Sequence, residues 1–206
     1  MQRVVGIILA GGLSSRMGTS KALLKIPETT RTLLDNTMHV LQEVSMRFPL
    51  DRIYISGTVP GYSTIPDRIP RMGPIGGIDG ILFQNEWSFD LALVVPVDMP
   101  MLTSSVLECL FENMTGHRLN AVYYRGHELP MMMRLGPQVR KLFDELICRN
   151  SRDRSVRNLL GSLRCRVLIP SEAQSIPLQG VNTPADWYGL LPHKRIAVRG
   201  GGIECL

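Results

Sequence analysis

The sequence predicts an α/β protein, a doubly wound and mostly parallel sheet flanked by helices. Three observations carry this. Residues 4–9 read VVGIIL and residues 91–97 read LALVVPV, continuous apolar runs that suit strands covered on both faces. Between such runs, apolar residues recur at helical spacing, as at Leu33, Leu34, Met38, Leu41, Val44 and Phe48. Strand-like and helix-like segments alternate along the chain, the pattern of parallel βαβ units.

In chain order, VVGIIL is the first strand. A helix follows over residues 32–48, then a second strand at RIYI, residues 52–55. The Gly73-Pro74 turn introduces a helix over residues 76–83, and LALVVPV is the next strand. Thr103 is a suitable N-cap for a helix over residues 104–114. Residues 121–124 and 131–135 read as a strand pair, and residues 139–148 and 155–163 as helices. Residues 166–169 form a late strand, and Asn182-Thr183-Pro184 marks a helix start. One domain is expected over residues 1–192, with 193–206 (HKRIAVRGGGIECL) as a loose tail.

Composition narrows the function. Of 206 residues, 44% are hydrophobic and 20% charged, so a buried core is expected and disorder is not. The net charge of +5 fits an anionic small substrate, but it is not gathered into one basic run, which argues against nucleic acid as a partner. Cys109, Cys148, Cys165 and Cys205 form no CxxC pair, which argues for reduced thiols in a cytoplasmic protein and against a zinc knuckle. The first apolar run is broken by Gly11 and Gly12, so it reads as a strand and not a signal peptide. No apolar stretch is long enough to span a bilayer, and no membrane partner is expected.

The most informative stretch is IILAGGLSSRMGTSKALL, residues 7–24. Ligands of open parallel sheets sit outside the carboxyl ends of the strands, where this segment falls. Gly11 and Gly12 let a ligand approach the backbone, whose N–H groups can cradle phosphate oxygens. Arg16 and Lys21 can neutralise the phosphates. The loop is not a P-loop, because Thr19 and Ser20 separate Gly18 from Lys21. Nor do Gly11, Gly12 and Gly18 supply the GxGxxG of dinucleotide sites.

LAGGLSSRMGTSKALL does resemble the LAGG-x3-R-M-G-x2-K-x-L loop of nucleotidyltransferases. RMGPIGGI (residues 71–78), VVPVDMPML (residues 94–102) and QGVNTPAD (residues 179–186) resemble, in order, that group's GPxGG/A, Asp-x-Pro and Asn-x-Pro elements. Together they resemble the molybdenum cofactor guanylyltransferase family, over about residues 3–190 and most weakly over 103–178.

The resemblance implies a Rossmann-like nucleotidyltransferase fold. It also implies transfer of GMP from GTP to the terminal phosphate of molybdenum-molybdopterin, with release of pyrophosphate. Leu9, Ala10, Gly11 and Gly12 would hold the triphosphate with Arg16 and Lys21, and Asp98 would hold Mg²⁺ against it. A carboxylate at a strand end suits Mg²⁺, which keeps several waters and bridges to phosphates. Asp67 would accept hydrogen bonds from guanine, and Ser56 stands at a nucleotide-contacting position that is often Asn. Asn182 reads either as a helix N-cap or as a contact to metal or substrate. Arg154 and Arg157, at i and i+3 on one helix face, read either as a solvated charged face or as a receiver for the pterin's phosphate. The family further implies contact with the molybdenum-insertion enzyme and molybdoenzyme chaperones.

His39, His117, His127 and His193 have no ligand spacing and read as structural or surface residues, and Met131, Met132 and Met133 read as packing. Two alternatives stand beside the guanylyl reading. One is a cytidylyltransferase of the same fold acting on molybdopterin or a sugar or polyol phosphate. The other is a non-catalytic nucleotide-binding scaffold, against which Arg16, Lys21 and Asp98 argue together.

Overall fold

The computed structural model describes residues 2–11, 20–27, 29–70, 72–115, 118–149, 153–183 and 186. Six strands are present: β1 (Val4–Leu9), β2 (Arg52–Ser56), β3 (Leu91–Pro96), β4 (Ala121–Tyr124), β5 (His127–Arg134) and β6 (Cys165–Leu168). They form one mixed sheet in the order β2-β1-β3-β5-β4-β6. β1 pairs in parallel with β2 and β3, and β4 with β6. β5 is antiparallel to both its neighbours, so it alone runs against the other strands. The expected mostly parallel sheet is therefore present, with one reversal. Its cause is local: only Arg125 and Gly126 separate β4 from β5, and Gly126 has φ +80°. A two-residue turn returns the chain antiparallel, whereas a parallel return needs a crossover.

Strand alternation sorts the core into two layers. Val4, Ile8, Leu93, Val95 and Met132 face one way, towards α1 (Leu33–Arg47) and α3 (Ser104–Asn113). Val5, Ile7, Ala92, Val94, Met131 and Met133 face the other, towards α2 (Gly73–Gln84), α4 (Pro137–Cys148) and α5 (Val156–Gly161). This two-sided cover explains why β1 and β3 are apolar at every position and why the methionine run is buried throughout.

Several boundaries differ from expectation. α2 begins at Gly73 because its Pro74 occupies the first turn, where a missing N–H costs nothing. β5 begins at His127, four residues before the predicted strand at residue 131. A 3₁₀ turn at Lys21–Leu23 and a short α6 (Glu172–Ser175) carry too few apolar residues to announce themselves by periodicity. Thr103 does precede α3, but its hydroxyl pairs with Ser105 Oγ at 3.0 Å and caps no backbone N–H.

α1 is fixed at its start by a capping box. Thr32 Oγ1 accepts from Asp35 N at 3.1 Å, and Asp35 Oδ2 accepts from Thr32 N at 3.1 Å. The Tyr62 hydroxyl donates to Asp35 Oδ1 at 2.6 Å. This bond and the Thr32 hydroxyl together hold the carboxyl of Asp35 below the usual range. Thr32→Ala should cost about 1 kcal/mol and lower the thermal midpoint by about 2–4 °C, as read by calorimetry. Thr103→Ala, whose hydroxyl caps nothing, should leave the midpoint within about 1 °C.

Candidate active site

The parallel strands end at one edge of the sheet, and the site is built there. Leu9 and Pro96 close the β1–β3 ladder, and Val97 N donates to Leu9 O at 3.2 Å. Asp98 follows directly, so its position is set by the last bond of the sheet. Lys21 stands on the 3₁₀ turn, which is anchored by the fully buried Ala22. Its Nζ lies 3.1 Å from Asp98 Oδ2 and 3.0 Å from Asn182 Oδ1. Three segments far apart in sequence thus meet at one ammonium. Lys21 and Asp98 side chains are only 20% and 25% exposed, so the pair is less screened than an ordinary surface bridge.

Asn182 is free of capping duty. Thr183 Oγ1 accepts from Asp186 N at 3.2 Å, while Asp186 Oδ2 accepts from the N–H groups of Asn182 and Thr183, both at 2.8 Å. Those backbone donors hold the Asp186 carboxyl below its usual range. The backbone contact of an N-cap is thus made by Thr183 to Asp186, while the carboxamide of Asn182 turns to Lys21. The late loop is tied down again by Val181 N donating to Asp98 O at 2.8 Å.

These groups line a cavity of about 920 Å³, with Leu9, Ala10 and Gly11 on the same wall. The opposite wall comes from the reversed strand and α5. Because β5 runs backwards, it starts where the parallel strands stop. Its register sets Val94 against Met131, which leaves His127, Glu128 and Leu129 beside the cavity. His127, expected as structural or surface, thus lies on the cavity wall, a placement that only the strand reversal produces.

Arg154 and Arg157 also line the cavity, but not as one helix face. Ser155 Oγ accepts from Asn158 N at 3.1 Å and caps α5, so Arg154 lies outside the helix. Arg157 is paired with Glu128 Oε1 through Nε at 2.9 Å and Nη2 at 2.8 Å. Its side chain is 83% exposed, so that pair is worth at most about 1 kcal/mol and can exchange for a stronger anion. Arg154 Nη1 contacts Met72 Sδ, while its Nε is buried with no hydrogen-bond partner among the described residues. A buried, unpartnered donor on a cavity wall is the kind of group that an anion satisfies.

Ser56 and Asp67 lie outside the cavity lining. Ser56 is 1% exposed, and its hydroxyl donates to Asp67, so it supports that carboxylate and does not itself face the cavity. Burial pushes the Asp67 carboxyl above its usual range, and the Ser56 bond opposes the shift. The glycines of α2 allow this packing: a Cβ on Gly77 would fall on the Ser56 hydroxyl, and one on Gly76 would stand 3.2 Å from Asp67 Oδ2. Gly12 and Arg16 lie outside the described residues, as do residues 193–206.

Gly57 was not singled out from sequence, yet the loop depends on it. It has φ +105°, and a Cβ there would sit 2.5 Å from Gly11 Cα and 2.6 Å from Gly11 N. The β1 and β2 ends are joined by Ala10 N donating to Ser56 O at 3.1 Å. The signal was available: a glycine directly after a strand that neighbours the LAGG strand.

The donor set can be tested for a metal. Among the described residues, no three His, Cys, Asp or Glu side chains gather. The ammonium of Lys21 nonetheless bridges two oxygens, Asp98 Oδ2 and Asn182 Oδ1, so these converge on a point that already accepts a cation. One carboxylate and one carbonyl oxygen suit Mg²⁺, which takes few protein ligands and fills its shell with water and phosphate.

A family model described as the MobA-like NTP transferase domain matches residues 6–162. The chain belongs to that family. It is 34% identical over 186 residues to the molybdenum cofactor guanylyltransferase of Xanthomonas euvesicatoria, covering 90% of this chain and 93% of the relative. The crystal structure of molybdopterin-guanine dinucleotide biosynthesis protein A from Archaeoglobus fulgidus matches with a TM-score of 0.66 at 18% identity, over 90% of this chain and 96% of that one. The 4-diphosphocytidyl-2C-methyl-D-erythritol synthase of Anaerococcus prevotii matches with a TM-score of 0.64 at 10% identity, over 92% and 94%. At such identities the two structures share the fold alone. The Rossmann-like α/β fold is thus present, as expected. Gly57→Ala should cost about 1–3 kcal/mol through its positive φ alone, read as a lowered urea midpoint. Gly11→Ala, whose Cβ would clear Gly57 Cα by 3.3 Å, should cost less.

Proposed function

We propose that this protein transfers GMP from GTP to the terminal phosphate of molybdenum-molybdopterin, releasing pyrophosphate. The observation that carries the proposal is the Lys21 ammonium held between Asp98 and Asn182 at the carboxyl ends of β1 and β3. The name of the relative that is 34% identical supports the same chemistry.

Such a transfer asks little covalent chemistry of the protein. The acceptor phosphate must meet the α-phosphorus in line while charge on the leaving pyrophosphate is neutralised. Backbone groups of Leu9 to Gly12, with Arg16 and Lys21, hold the triphosphate. Asp98 and Asn182 would hold Mg²⁺, which when bound would supply further positive charge at the phosphates. Asp67 accepts from the guanine N1–H and exocyclic amine, a pairing that neither adenine nor cytosine can offer. Arg154, with its unpartnered Nε, and Arg157, once exchanged from Glu128, receive the acceptor's phosphate from the opposite wall. A cytoplasmic location, and contact with the molybdenum-insertion enzyme and molybdoenzyme chaperones, belong to the same proposal. Among the described residues no helix is long and apolar enough to cross a membrane.

Lys21→Ala and Asp98→Ala should each lose about 10²–10³ in turnover while keeping the wild-type thermal midpoint within a few degrees. Full activity in both would overturn the assignment. Calorimetry with GTP, CTP and ATP in Mg²⁺ should show selective GTP binding, and a preference for CTP would favour a cytidylyl reaction instead. Because the Asp67 pKa is raised above 3.8 and its carboxylate is the binding form, GTP affinity should hold at neutral pH. It should fall on acidification earlier than an ordinary carboxylate would dictate. Asp67→Asn should remove that pH dependence.

A further inference from the structure

α2 carries a buried charge that the site described above does not use. Asp79 is 3% exposed, and its Oδ2 lies 3.0 Å from Arg68 Nε. A second carboxylate, Asp144 on α4, repels it, so Arg68 is what makes its burial tolerable. The Arg68 guanidinium also stacks on the Phe83 ring, 4.3 Å from its centroid. Residue 68 follows Asp67 directly. The segment lies along one face of α2, with Asp67 over Gly76, Pro66 over Gly80 and Arg68 over Asp79 and Phe83. A Cβ on Gly80 would stand 2.9 Å from Pro66 O, so the close approach needs that glycine. The sequence places a carboxylate at Asp79 in a helix whose other inward residues are Ile75, Ile78, Ile81 and Leu82.

We propose that Asp79 and Arg68 are positioning residues for base selection: their ion pair, buried on the Asp79 side, clamps the 66–68 segment to α2 and so fixes where the Asp67 carboxylate points. This rests on the reading that Asp67 accepts from guanine. Ser56 orients one side of that carboxylate, and the clamp holds the backbone on the other. Neither Asp79 nor Arg68 lies on the cavity wall, so the pair acts on the base through Asp67 and leaves the phosphates to Lys21 and the glycine loop. Discrimination against the wrong base requires a carboxylate held in place, because a carboxylate free to swing would find donors on other bases or in water.

The test compares Mg²⁺-dependent binding of GTP, ITP and inorganic tripolyphosphate by calorimetry. ITP lacks the exocyclic amine, so it lacks one of the two hydrogen bonds to Asp67. Wild type should prefer GTP over ITP by about tenfold or more. Arg68→Met alone leaves a buried unpaired carboxylate and is prone to unfold. The informative variant therefore combines Arg68→Met with Asp79→Asn, which removes both charges and keeps the size of the buried side chain at residue 79. It should bring the GTP/ITP ratio close to one while tripolyphosphate affinity stays at the wild-type value. Asp67→Asn is measured in parallel. If Asp67→Asn abolishes the preference and the double variant keeps it, the clamp is only structural and the proposal is wrong. If Asp67→Asn keeps the preference, the base-reading role of Asp67 fails and the clamp falls with it.

Discussion

The bridge from Lys21 to Asp98 and Asn182 is the contact on which the site depends, because it joins parts of the chain that the sheet alone would not bring together. The sheet places the end of β1 beside the end of β3. It does nothing to bring residue 182 there. That is done by Val181 donating to the Asp98 carbonyl and by the lysine that spans both side chains. An ammonium between two oxygens keeps those oxygens from collapsing onto other donors, and so holds the ends of β1, β3 and the late loop in one arrangement.

Much of this was legible in the sequence, and the reason is physical. Strands covered on both faces must be apolar at every position, so β1 and β3 stood out, and their ends located the site. Lys21, Asp98 and Asn182 each sat in a short motif that resembles a family element, and the structure brings the three together. What was not legible came from tertiary relations between segments. The contact of Thr183 with Asp186, the departure of Arg154 from the helix of Arg157 and the pairing of Arg157 with Glu128 depend on which side chain reaches first. The role of Gly57 depends on the neighbouring strand's glycine, which no single-segment pattern contains. Ser56, at the end of β2, faces inward, because Gly77 leaves room for its hydroxyl under α2.

The fold itself carries less information about chemistry than the site does. A guanine dinucleotide biosynthesis protein and a diphosphocytidyl synthase overlay this chain almost equally well. The fold alone therefore does not set the chemistry, which is left to side chains placed upon it.

The two-residue turn between β4 and β5 bears on how such a protein diversifies. Gly126 lines the cavity, and the space where its Cβ would stand is empty to 4 Å. The turn thus belongs to the rim and not to the core. Lengthening it would remodel this wall of the cavity while the buried methionines of β5 keep their places in both layers. The reversed strand gives the scaffold a stretch of cavity wall that can vary in sequence and length without renegotiating its foundations.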